Sequence, residues 1–146
     1  GQDQYVIKIQ HGKPSVTDLH ERTVRLFNEL NEPLIKRGDL EPAKVVNLKV
    51  NNHNIMLCTS PYIEYGPASP SEIKQVCKQA YERTNRVLID AMVSGNVVKD
   101  QKTNAVIFLD VGQAPDLKRR HSIGSISLLT QLDKLKKWLK VELMVS

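Results

Sequence analysis

The sequence predicts an α+β fold: a single domain over residues 1–146 in which an antiparallel sheet carries helices, in the order β-α-β-β-α-β-β-α. Three observations carry that expectation. Short runs rich in β-branched residues recur between turn-forming residues. Longer stretches repeat apolar residues at helical spacing. A short polar link joins two adjacent strand-like runs, as a hairpin requires.

Each element follows from local chemistry. Tyr5–Gln10 (YVIKIQ) predicts the first strand, punctuated by Gly12 and Pro14. Ser15 and Asp18 start a helix, and Leu19, Val24, Phe27, Leu30 and Leu34 mark its apolar face. Pro33 ends or kinks it and Gly38 closes the segment. Lys44–Val50 and Ile55–Thr59 read as paired strands around the polar link Asn51, Asn52, His53 and Asn54. Ser60–Pro70 holds too much proline and glycine for a helix and reads as an ordered connector. Ser69, Pro70 and Glu72 then form a capping box with proline at the first helical position. Ile73, Val76, Ala80, Val87, Leu88 and Ala91 continue one buried face, which predicts a helix as far as Gly95. Val97–Lys99 and Ala105–Val111 follow as strands around the turn Asp100–Asn104. After a loop, Leu128, Leu132, Leu135 and Leu139 mark a last helix with lysines opposite.

Composition bounds the function. The net charge of +5 gives a mild attraction for anions such as nucleotides, nucleic acid or acidic lipid. Cys58 and Cys77, the two cysteines, sit among apolar residues and read as small buried hydrophobes rather than a disulfide framework. No CxxC or HExxH occurs, so no zinc site is indicated. His11, His20, His53 and His121 share no spacing that would make a metal site or a triad. No apolar run approaches a membrane span. These features suit a soluble, intracellular protein, or one secreted into a host cell. Gly1 stands where a methionine would start a chain, so the sequence reads as a processed product or a piece of a larger protein.

Several residues sit where phosphate chemistry would use them. Lys8 lies in VIKI on the first strand, with Glu21 or Glu29 on the helix after it. The hairpin leads to Ile63-Glu64-Tyr65-Gly66, and the last strand ends in Asp110-Val111-Gly112, with Asn96 before it. In this order the chain resembles the protein-kinase-like fold, over roughly residues 5–112. The resemblance implies that Lys8 meets phosphate, that a helical glutamate holds it, and that Asn96 and Asp110 hold Mg2+ if that ion is used. The departures are specific. No glycine-rich loop stands before Lys8, and no His-Arg-Asp motif occurs. Asp90 lies one residue further from Asn96 than the family spacing and falls in a stretch read as helix. Valine replaces phenylalanine after Asp110. Those losses imply a degenerate nucleotide-binding relative, a pseudoenzyme of the kind found among bacterial effectors, or a fragment of a longer domain.

Two further groups complete the expected site. Tyr62 and Tyr65 in their proline-bounded loop offer rings to an adenine base. Arg119 and Arg120, before His121 and Ser122, can bind phosphate or form a basophilic-kinase target. The leading expectation is an adenine-nucleotide-binding domain without efficient catalysis. The alternatives are a protein-interaction module using the C-terminal helix with Trp138, and, ranking below it, nucleic-acid binding through the lysine-rich surface.

Overall fold

The computed structural model describes residues 5–9, 15–111, 114, 116 and 137. The fold is α+β, and its order is β1 (Tyr5–Ile9), α1 (Ser15–Leu30), α2 (Glu32–Lys36), β2 (Lys44–Val50), β3 (His53–Pro61), β4 (Tyr65–Pro67), α3 (Pro70–Thr84), β5 (Val97–Asp100) and β6 (Val106–Phe108). The short α2 and β4 add to the expected order, and the strands form two sheets, β1-β3-β2 and β4-β5-β6, in place of one. The expected last helix lies outside the described residues, apart from helical Lys137. The chain divides into two compact units, one of residues 1–64 with 100–105, the other of 65–99 with 106–146.

In the first unit, β3 pairs antiparallel with both β1 and β2. The link between β2 and β3 is shorter than the sequence suggested. Val50 pairs with His53, so only Asn51 and Asn52 turn, at φ 50° and 64°. Two successive positive φ values suit the twist of a tight hairpin, and asparagine tolerates them. His53 and Asn54 therefore belong to β3.

Helix α1 packs on β2 and β3 and buries Leu26, Phe27 and Leu30, while Leu19 is exposed despite its place on the expected apolar face. Pro33 falls in the first turn of α2, where its missing N–H costs no helical bond. That helix ends in a Schellman motif. Gly38, at φ 79°, donates to the Ile35 carbonyl and Asp39 to that of Leu34. The Asn28 side chain then clamps the Ala43 backbone with two hydrogen bonds, of 2.8 and 3.1 Å, which fixes the start of β2.

In the second unit, α3 begins with the capping box the sequence predicts. Ser69 Oγ accepts from the Glu72 N–H, and Glu72 Oε1 accepts from the Ser69 N–H. Glu72 Oε2 also pairs with Lys99 Nζ at 3.0 Å, tying the helix start to β5. The helix is shorter than expected. It stops at Thr84, with Asn85 in the left-handed region at φ 59°. Val87, Leu88 and Ala91 are buried as expected, but from a connecting segment beyond the helix. They join Val97, Val98, Ile107 and Phe108 in the core of this unit.

Candidate functional site

The segment from Asn85 to Asn96 is held by a series of polar contacts among the described residues of the second unit. Arg86 anchors its start by donating from Nη1 to the Ala114 carbonyl at 2.8 Å. Successive turns follow, with Ala91 N–H bonded to Leu88 O, Val93 N–H to Asp90 O and Asn96 N–H to Val93 O. Gly95 takes φ 91°, a conformation that glycine adopts without a Cβ penalty.

Asn96 is the organising residue. It is 7% exposed, and its Nδ2 donates to the Asp90 carbonyl at 2.8 Å. Its own carbonyl accepts from the N–H groups of Leu109, at 2.8 Å, and Asp110, at 3.3 Å. One buried asparagine thus links the Asp90 turn to the end of β6, where Asp110 stands exposed. The sequence reading put Asp90 in a helix. Because α3 ends at Thr84, Asp90 instead occupies a turn.

The electrostatics of the pair are uneven. Burial raises the Asp90 carboxyl above its ordinary pKa, and the charge of Asp110 pushes the same way. The Asn96 side chain works in the opposite direction. Asp90 Oδ1 is buried and has no hydrogen-bond partner among the described residues. A buried carboxylate oxygen without a donor is costly, so this acid favours a proton or a cation beside it.

An open-sided cleft of about 700 Å3 adjoins this segment within the same unit. β4 and the start of α3 line it with the 92–95 turn, and Val97 and Val98 of β5 complete it. Tyr65, Met92 and Val93 are exposed there, at 48%, 59% and 57%. Gly95 and Val97 flank Asn96 in sequence and both line the cleft. The volume lies within the range of about 300–1,000 Å3 usual for small-molecule sites.

The expected site residues fall as follows. Tyr65, Asn96 and Asp110 belong to the second unit, Tyr65 on the cleft wall and the other two joined through the Asn96 carbonyl. Tyr62 belongs to the first unit and is 52% exposed. Lys8 also belongs to the first unit, where its backbone pairs with Cys58. Arg119 and Arg120 lie outside the described residues. Both cysteines are buried outside any disulfide, and burial pushes the Cys77 thiol up to about 12, which leaves it protonated and unreactive at neutral pH.

The donor set suits a hard cation better than a soft one, since carboxylate and amide oxygens are its chemistry. Among the described residues no group of three or more His, Cys, Asp and Glu side chains converges on one point. No helix among the described residues is long and apolar enough to cross a membrane. No family model matches the chain, and no curated protein and no solved structure matches it either.

Proposed function

We propose that this chain binds an adenine nucleotide on a kinase-like scaffold, without efficient phosphotransfer. The observation that carries the proposal is the junction of a small-molecule-sized cleft with the Asp90–Asn96–Asp110 group, through Gly95 and Val97. In phosphotransfer sites one aspartate faces the acceptor hydroxyl, while an asparagine and a second aspartate hold metal. Here the base lies against Tyr65 in the cleft and the phosphates lie toward Asn96 and Asp110. Asp110, exposed at the end of β6, offers its carboxylate, and Asn96 holds the Asp90 turn in register with it. Bound Mg2+ would neutralise phosphate charge at this end. Arg119 and Arg120 enter as phosphate partners from sequence alone, and Lys8 stays a sequence expectation on the first unit. Weak catalysis follows from the lack of a glycine-rich loop before Lys8 and of a His-Arg-Asp motif.

The test is calorimetry and thermal shift with ATP and ADP, with and without Mg2+, on the wild type, Tyr62→Ala, Tyr65→Ala and Asp110→Asn. A ligand at a hundred times its Kd stabilises the fold by about 2.7 kcal/mol. Loss of the stacking ring at Tyr65 weakens binding by about one to two decades. Asp110→Asn abolishes the Mg2+ dependence. Absence of any nucleotide binding at millimolar concentration refutes the proposal. Robust phosphate transfer by the purified chain refutes its non-catalytic half.

A further inference from the structure

β2 is an edge strand, since the first sheet runs β1-β3-β2. An edge presents a row of backbone N–H and C=O groups that a further strand can take up. The hairpin fixes which residues carry that row. Asn51 and Asn52 form a two-residue turn between Val50 and His53. Such a turn closes on a pair that exchanges both hydrogen bonds, and the two directions then alternate along the strand. Lys49, Asn47, Val45 and Ala43 therefore turn their backbone groups outward, away from β3. Ala43 bears this out. Its N–H and its carbonyl both go to the Asn28 side chain of α1, at 2.8 and 3.1 Å. Asn28 thus ends the outward row on one side and the asparagine turn ends it on the other.

The row between them is self-complementary. A two-fold axis at Asn47 runs a second β2 antiparallel to the first. Asn47 then faces Asn47 of the second copy, and Val45 faces its Lys49, so every outward N–H meets an outward carbonyl. Neighbouring registers do worse. With the axis at Leu48, Val45 would face the turn at Asn51. With the axis at Val46, Lys49 would face Ala43, whose groups Asn28 already holds. The Asn47 register also keeps like charges apart, since Lys49 faces Val45 and Lys44 faces Val50. It sets Val46 against Leu48, whose side chain is 46% exposed in the single chain.

We propose that β2 is a homodimer interface, in which two copies pair edge to edge about a two-fold axis at Asn47 and their sheets become continuous. The occupant of the edge is a second copy of this chain. Pairing along a strand of seven residues buries an area at the low end of specific interfaces, below about 1,200 Å2 in total. The dimer is therefore reversible, with a Kd in the micromolar range. It does not depend on nucleotide binding.

The experiment is sedimentation velocity on the full chain from about 1 to 500 μM, where monomer should give way to dimer. Asn47→Pro should weaken association by about tenfold or more. The proline removes an N–H that points away from β3, so the hairpin keeps its own bonds, which circular dichroism and a thermal melt verify. Oxidation of Asn47→Cys should give a disulfide-linked dimer, because the Cα atoms of a hydrogen-bonded pair lie about 5.5 Å apart, within disulfide reach. Lys49→Cys should not cross-link, since the same register leaves its two copies four residues apart along the strand, about 13 Å. The native Cys58 and Cys77 are buried. Monomer at every concentration overturns the proposal and leaves the edge to a strand from another protein. A dimer that cross-links through Lys49→Cys as readily as through Asn47→Cys overturns it as well, because its copies then meet elsewhere or in another register. So does a dimer that a folded Asn47→Pro variant leaves unchanged. Should Asn47→Pro disturb the hairpin, the two cysteine variants decide alone.

Discussion

The first unit spends its residues on regular strands, with seven in β2, nine in β3 and a two-residue turn between them. The second unit has strands of three or four residues and, among the described residues, buries Val87, Leu88, Ala91, Val111 and Ala114 on connections beside Val97, Val98, Ile107 and Phe108 on its strands. Leu48 and Val50 on β2 are each 46% exposed, whereas Ile107 and Phe108 on β6 are at most 1% exposed. A long strand can therefore stay half in solvent while a short one is fully enclosed. Enclosure fixes β5 and β6 and the buried Asn96 beside them, while the 92–95 turn that lines the cleft stays largely exposed.

That contrast can be broken most directly by truncation. Phe108→Ala should cost about 3–5 kcal/mol through lost burial and the cavity it leaves. Leu48→Ala in the first unit should stay within about 0.5 kcal/mol, as exposed substitutions do. Urea denaturation monitored by circular dichroism checks both. Equal costs would mean that exposure on β2 does not reflect how the sheet is packed.

Asparagines sharpen the comparison, because each unit uses one as a clamp. Asn28 holds Ala43 in the first unit and Asn96 holds Asp90 in the second. Removing either to alanine should destabilise by about 1–3 kcal/mol, since buried backbone groups lose their partners. Only Asn96→Ala should also abolish nucleotide binding, measured on the folded variant below its melting point. Parallel loss of binding in Asn28→Ala would point to general unfolding rather than a site.

The hairpin and the capping box were legible because their rules are local. β-branched runs bracket the asparagine turn, and Ser69-Pro70-Ser71-Glu72 writes its own hydrogen bonds. The end of α3 was not legible. Val87, Leu88 and Ala91 keep helical spacing after Asn85, so periodicity runs on where the backbone has already turned. That error hid Asp90, because a carboxylate on a helix surface and one on a buried turn look alike in sequence. The sequence singles out Asn96 by its order relative to Asp110. Its carbonyl contact with two N–H groups depends on tertiary packing that no spacing encodes.

Acid titration separates two carboxylates of the second unit, Glu72 and Asp90, by sign. The backbone N–H of Ser69, then the ammonium of Lys99, holds the Glu72 carboxyl down to about 2 from 4.5. Its contribution is present above its ordinary value and is lost as pH falls toward 2. Asp90 behaves oppositely. Burial raises it, so its contribution is present at low pH and is lost as pH rises through its folded value. Thermal melts from acid to neutral pH should show Glu72→Gln losing stability at neutral pH and converging with wild type in acid. Asp90→Asn should gain stability at neutral pH, and the gain should fade in acid. Ser69→Ala removes the cap itself and should cost about 1 kcal/mol. A pH-independent offset for Glu72→Gln would mean that its charge is irrelevant to the cap.

The smallest effect belongs to the turn of the first unit. Among the described residues every non-glycine with positive φ is an asparagine, namely Asn51, Asn52, Asn85 and Asn104. Asn52, at φ 64°, is where an asparagine–glycine hairpin would carry its glycine. Asn52→Gly relieves residual left-handed strain but raises the entropy of the unfolded chain. These terms oppose each other, so the net gain should be at most about 0.5 kcal/mol. Asn52→Val has no compensating term and should lose about 1–2 kcal/mol, because a β-branched side chain fits the left-handed region poorly. Chemical denaturation of the two variants against wild type decides the matter. If Asn52→Val melts like wild type, the turn is not held in the left-handed region, and the pairing of Val50 with His53 must shift by at least one residue.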